Sequence, residues 1–137
     1  MQDFFETERL IQEEYIHDKW KMVVVCILLN QTNNKQVRPI LEDLFKLIPD
    51  AEKASATGIQ QIAEIIRPTG FQNVKADRIV KMSKKWASGD QEISKLPGVG
   101  KYALESWRIF VDRDFGFTPT DKKLNIFLQE GGNDRLP

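Results

Sequence analysis

The chain has 137 residues, 41% of them apolar, enough to build a core for one compact domain or for the centre of a larger protein. Its 20 Lys and Arg balance 20 Asp and Glu, so a footprint on a polyanion has to come from local basicity rather than net charge. The longest apolar run, Met22 to Leu29, is too short for a membrane span, Met1 opens on the mixed stretch QDFFETERL rather than a secretory leader, and the single Cys26 rules out an internal disulfide and a zinc or iron-sulfur cluster.

In chain order, TERLIQEEYI spaces Leu10, Ile11 and Tyr15 on one helical face, and KWKMVVVCILL predicts a buried helix with Cys26 as a small core residue. A polar break over 30–34 follows. KQVRPILEDLFKLI places Val37, Leu41, Leu44, Phe45 and Ile48 at helical spacing, with Pro39 confined to a first turn and Pro49-Asp50 as the stop. IQQIAEII predicts a short helix closed by RPTGF. NVKADRIVKMSKKWA turns Val74, Ile79, Met82 and Trp86 inward and its lysines outward, ending at Ser88-Gly89. KYALESWRIFV and TPTDKKLNIFLQE complete an all-α set with no alternating strand pattern, and GGNDRLP reads as a frayed or truncated end. Trp20, Trp86 and Trp107 sit at core spacings, and the one histidine, His17, at a helix junction. Charge is uneven: residues 1–18 carry a net −5 and residues 67–101 a net +5. The basic stretch suits either a solvated helix face or a nucleic-acid surface.

Between two predicted helices stands Leu96-Pro97-Gly98-Val99-Gly100. Two glycines around Val99 leave backbone N–H groups uncovered beside a helix start, where the helix dipole and Lys101 favour an anion. The turn therefore fits a phosphate held without reading a base, or a close helix-helix turn. Thr118-Pro119-Thr120-Asp121 reads as the N-cap to N3 of the last helix. Asp121 then either completes a capping box or serves as a carboxylate kept ionised by the helix N-terminus. Tyr102 fits an amphipathic core position or a pocket wall, and Phe71, after Pro68-Thr69-Gly70, fits core or an exposed wedge.

LPGVGKY, with Asp121 some twenty residues on, resembles the hairpin of helix-hairpin-helix DNA glycosylases related to endonuclease III. Together with LIQEEYIHDKWKMVVVCILLNQT, RPTGFQNVKADRIVKMS and TPTDKKLN, it is similar to the catalytic domain of the methyl-CpG-binding-domain mismatch thymine/uracil glycosylases, from about Leu10 to about Phe127. The resemblance implies an all-helical bundle with a cleft between two helical subdomains and no iron-sulfur cluster. It implies one glycosylase domain over residues 1–137, whole or the C-terminal catalytic part of a longer protein. Asp121 and Tyr102 would be catalytic. Gln12, Leu29, Gln31 and Phe71 would meet the flipped nucleotide and its surroundings. Pro97, Gly98, Val99, Gly100, Lys101, Thr120 and Lys122 would hold the DNA backbone. The carbonyls of Ser94, Leu96 and Val99 would hold a Na+ or K+ ion, with no cofactor required. The expected partner is double-stranded DNA with mismatched or deaminated bases, met by a monomer in the nucleus, away from membranes.

Five substitutions within the resemblance bear on chemistry. Tyr102 stands where bifunctional relatives carry the nucleophilic lysine, which predicts base release without strand cleavage. Cys26 stands where adenine-specific relatives carry a glutamate, which favours a pyrimidine. Gln31 replaces a usual arginine, and Thr118 and Lys122 replace usual histidines. The expected reaction is hydrolysis of the N-glycosidic bond of thymine or uracil in G·T or G·U pairs. The alternatives are a non-catalytic DNA-binding module, an adenine-mismatch glycosylase, or a helical protein-interaction domain.

Overall fold

In the computed structural model, which describes residues 9–137, the apolar run becomes helix α1 (Lys19–Leu29). Asp18 caps it by accepting from the Lys21 N–H at 3.0 Å, and Trp20 and every side chain from Met22 to Leu29 are buried. A helix apolar on all faces must run through the centre of a bundle, and α1 does. Around it lie α2 (Asn34–Val37), α3 (Leu41–Leu47), α4 (Ala51–Ser55), α5 (Ile59–Ile66) and α6 (Gln72–Ala87), with α6 packed on α1, α4 and α5. These build the larger of two hydrophobic clusters. The smaller one joins Leu10 and Met22 to Ile109 and Phe110 of α7 (Lys101–Phe110), Leu124 and Phe127 of α8 (Lys122–Gln129), and Leu136. Tyr102 packs against both clusters, so it stands at their seam.

Among the described residues there is no strand, as the periodicity predicts, and no helix is long and apolar enough to cross a membrane. Trp20 is core, its indole N–H donating to Ser83 Oγ at 3.0 Å. Trp86 meets Trp107 edge-on at 6.4 Å. His17 is exposed at the junction before α1. The acidic opening, residues 1–8, lies outside the described residues together with the start of the first predicted helix.

Several expectations are corrected. The first helix narrows to a 3-10 turn, Ile11–Tyr15, entered at Leu10, whose N–H donates to Glu13 Oε2 at 2.7 Å. The helix expected over 35–48 breaks into α2, a 3-10 turn at Arg38–Ile40 and α3, because Pro39 has no N–H to offer and its ring crowds the preceding turn. Asp50 does not only stop a helix: its carboxylate accepts from the Lys53 N–H at 2.8 Å and starts α4, which the sequence reading missed. On α6, Val74 is 48% exposed while Lys75 is 2% exposed, the reverse of the expected faces. The last helix begins at Lys122, so Asp121 is its N-cap rather than its third residue. Residues 132–136 are not frayed. Gly132–Arg135 forms a 3-10 turn, Leu136 is buried, and Arg135 donates to Glu13 at 3.1 and 2.9 Å.

Candidate active site

The hairpin separates its two glycines by function. Gly98 has φ +80°, and a Cβ there would lie 2.9 Å from Cβ of Arg78 on α6, so both backbone and packing demand glycine. Gly100 has an ordinary extended backbone, and a Cβ there would meet nothing within 4 Å. Packing does not require a glycine at that position. Its open side adjoins a cavity of about 390 Å³ lined by Cys26, Asn30, Arg78 and residues 98–103. The first turn of α7 carries no side-chain cap, so its N–H groups remain available to an approaching anion. Pro97 and Val99 are half-buried, and Lys101 is exposed beside them.

A second groove, about 550 Å³, adjoins the first at Asn30 and Tyr102. Leu29, Gln31 and Asn34 line one side, and Tyr102, Asp121 and Lys123 the other. Asp121 is fixed there as the cap of α8, its Oδ2 accepting from the Leu124 N–H at 3.0 Å. Behind Tyr102 lies Gln12, fully buried. Its Nε2 donates to the Tyr102 hydroxyl at 2.6 Å and to Ser106 Oγ at 3.1 Å, which leaves the tyrosine's own proton to point elsewhere. Gln12 Oε1 is the buried side-chain atom that has no partner among the described residues. Burial raises the Tyr102 pKa, and the charges of Cys26 and Asp121 raise it further, against the hydrogen bonds from Gln12 and with Ser106. Tyr102 is therefore a neutral phenol. Burial likewise pushes the Cys26 thiol up to about 12 against its contact with Ser106, so this position offers no strong acid.

A third, smaller cavity of about 210 Å³ is lined by Asn30, Gln31, Phe71, Val74, Lys75 and Arg78. Gln31 and Phe71 both have left-handed backbones, φ 59° and 50°, and Phe71 is 62% exposed. An aromatic this exposed is not part of the core, the other place the sequence offered it. Lys75 explains how the strain is held. Its Nζ donates to the Leu28 carbonyl at the end of α1 and to the Thr69 carbonyl ahead of Phe71, both at 2.8 Å, and so ties the two loops together. Desolvation lowers its pKa to about 8.

Leu29, Gln31, Tyr102 and Asp121 thus converge on one groove, with Gln12 behind it and Phe71 at its edge. Lys122 and Thr120 flank Asp121 without lining the groove, and Lys123 lines it instead. Ser94, Leu96 and Val99 share the turn before α7, where the Leu96 carbonyl also accepts from the Val99 N–H at 3.3 Å. Sequence reasoning missed Asn30, which borders all three cavities, and Arg78, which borders two. The break at 30–34 marked the loop but not which residue faces inward. Lys75 was missed because a charge inside an amphipathic pattern reads as solvated.

The helical bundle sets a glycine hairpin's cavity beside a groove that Asp121, the cap of α8, lines, and the sequence places this fold among DNA repair proteins. Residues 24–134 match the model of the HhH-GPD superfamily base excision DNA repair proteins, and the chain belongs to that family. It is 34% identical over 120 residues to a methyl-CpG-binding domain protein 4-like protein of Arabidopsis thaliana, covering 86% of this chain and 27% of that protein. It is 31% identical over 94 residues to a thymine/uracil-DNA glycosylase of Pyrobaculum aerophilum, covering 63% and 41%. A thymine-DNA glycosylase of Aeropyrum pernix is 25% identical over 93 residues, covering 62% and 42%. The chain therefore spans between a quarter and less than half of the length of these relatives. The fold is shared with a thermostable thymine-DNA glycosylase of known structure, TM-score 0.69 at 23% identity, covering 82% of this chain and 56% of that one.

Proposed function

We propose that this chain is a monofunctional DNA glycosylase that takes thymine or uracil out of G·T or G·U pairs and leaves an abasic site. The observation that carries the reading is that Asp121 and Tyr102 line one groove together: a carboxylate where the sugar would lie, and a neutral phenol where a lyase would need an amine. The bond between C1′ and the base nitrogen breaks with its electron pair going to the base, and positive charge develops on the sugar. Asp121 stabilises that charge and takes a proton from the water that adds to C1′. The base leaves as a delocalised anion and is then protonated, so no strong acid is needed. The Tyr102 hydroxyl, its oxygen occupied by the Gln12 amide and its proton left over, supplies a donor of the kind an imide edge requires, with Gln12 backing it.

Around this chemistry, the open face at Gly100 and the uncapped start of α7 would seat a backbone phosphate. The carbonyl oxygens of Ser94, Leu96 and Val99 would hold a Na+ or K+ ion, which would add positive charge near that phosphate. One shared turn, with lone pairs remaining on Leu96, is compatible with this. Phe71 and Gln31 would occupy the duplex beside and behind the extruded nucleotide. Action as a monomer without other cofactor belongs to the same reading, as does a nuclear setting, for which the plant relative is the support.

The decisive experiment is Asp121→Asn with duplexes containing G·T, G·U, A·G and A·U pairs, followed by alkali. The variant is expected to bind mismatched DNA normally while releasing base at least about a hundredfold more slowly. Near-normal release would remove Asp121 from the mechanism, and cleavage of the A·G duplex by the unmodified protein would favour the adenine reading.

A further inference from the structure

We propose that Glu105, through its hydrogen bonds to the backbone ahead of α8, is the positioning residue that holds Asp121 in register with Tyr102. The inference rests on the catalytic reading of Asp121. Glu105 lies on α7, three residues after Tyr102 and so nearly one turn along the same face. Its Oε2 accepts from the Thr120 N–H at 2.8 Å and from the Thr120 hydroxyl at 3.0 Å, and its Oε1 accepts from the Asp121 N–H at 3.2 Å. Three donors from a single exposed loop thus converge on one carboxylate of the opposite helix. Burial raises the Glu105 pKa, but these three bonds and the charge of Lys101 outweigh it and hold the carboxyl below its usual range, so the acceptor is fully charged near neutral pH.

The arrangement differs from an ordinary cap. Asp121 already caps α8 through Leu124, and Glu105 adds no bond inside that helix. What it fixes is the position of the Asp121 main chain relative to α7, the helix that presents Tyr102 and the hairpin. Asp121 is held from both sides, with its backbone N–H bound to α7 and its side chain bound to α8. Without the first bond α8 can still be capped and packed, but the carboxylate is free to shift relative to the sugar. Catalytic effectiveness falls steeply with such displacement, by about a hundredfold for 1 Å.

The test is a kinetic cycle on the whole chain with G·T duplex under single-turnover conditions at saturating protein. Glu105→Gln removes the charge and one acceptor oxygen at nearly constant shape. It is expected to slow base release about 10- to 100-fold while duplex affinity changes less than about twofold. In the Asp121→Asn background the same substitution is expected to have no further effect beyond about twofold, because there is no carboxylate left to position. An equal fold loss in both backgrounds, or unchanged release by Glu105→Gln, overturns the proposal. Near-normal release by Asp121→Asn alone overturns the catalytic reading and this inference with it, a pattern distinct from the other two. If Glu105→Gln does not fold, Thr120→Val removes only the hydroxyl bond. It is expected to slow release about two- to fivefold with the same dependence on Asp121, and an unchanged rate would count against positioning.

Discussion

Lys75 is a charge enclosed by α1, the Arg67–Thr69 turn and its own helix, and its titration should be visible in the stability of the whole protein. In the unfolded chain a lysine loses its proton near 10.5; in the fold Lys75 does so at about 8. The folded state therefore sheds the proton first, the unfolded state binds more protons between these two values, and unfolding free energy rises with pH across that window. For a shift of this size the gain is about 2 kcal/mol between pH 7 and 9.5, out of about 3 kcal/mol in total. Cys26 acts in the opposite sense, since its folded pKa is raised and its contribution is lost as pH climbs above the unfolded thiol value. The measurement is therefore a difference. Urea unfolding of the unmodified chain and of Lys75→Met is followed at half-unit pH steps from 7 to 9.5. The advantage of the lysine form over the methionine form should widen by about 2 kcal/mol as pH rises, because only the former gains from the titration. Parallel curves would show that the ammonium is not desolvated as described. Lys75→Met should also slow base release at pH 7, because the loops carrying Gln31 and Phe71 lose their common anchor.

The two hairpin glycines should part company under substitution. Gly98→Ala, facing Arg78 with a left-handed backbone, should cost about 1–3 kcal/mol in thermal or urea unfolding. Gly100→Ala should leave stability within about 0.5 kcal/mol but weaken binding to duplexes of every sequence alike, read by anisotropy as a uniform shift in affinity. The unmodified protein should give no covalent adduct with borohydride, and strands should break only after alkali; an efficient adduct would mean that Lys101, Lys122 or Lys123 reaches the sugar.

The parts of this fold that announce themselves in the sequence are those where a local rule and the tertiary structure agree. Met22–Leu29 has no polar face, so α1 had to be central, and Gly98 marks a turn that only glycine can make. The departures occur where a distant partner decides. Nothing near Lys75 in the chain shows that two carbonyls, one of them 47 residues away, wait for its ammonium. Thr118 looks like the cap by composition, yet Glu105, 15 and 16 residues upstream of its partners, takes the backbone donors of Thr120 and Asp121, and the helix starts at Lys122. Asp121 was legible as a carboxylate at a helix start, whereas Asn30 gave no sign of bordering three cavities, because it opens a run of polar residues.

Gln12 reaches its partners Tyr102 and Ser106 across 90 and 94 residues of chain, and the turn that carries it is tied through Glu13 to Arg135, 122 residues away. During synthesis the amide emerges 90 and 94 residues ahead of the hydroxyls it must meet. α1 and the helices up to α6 can condense around local contacts while the chain is still growing, whereas the pocket has to wait until α7 and Arg135 have emerged. A chain stopped short of α8 would therefore carry the larger cluster and the hairpin but neither Asp121 nor the Arg135 tie to the turn that carries Gln12. Under this order of assembly the hairpin cavity is complete before the groove that Asp121 lines.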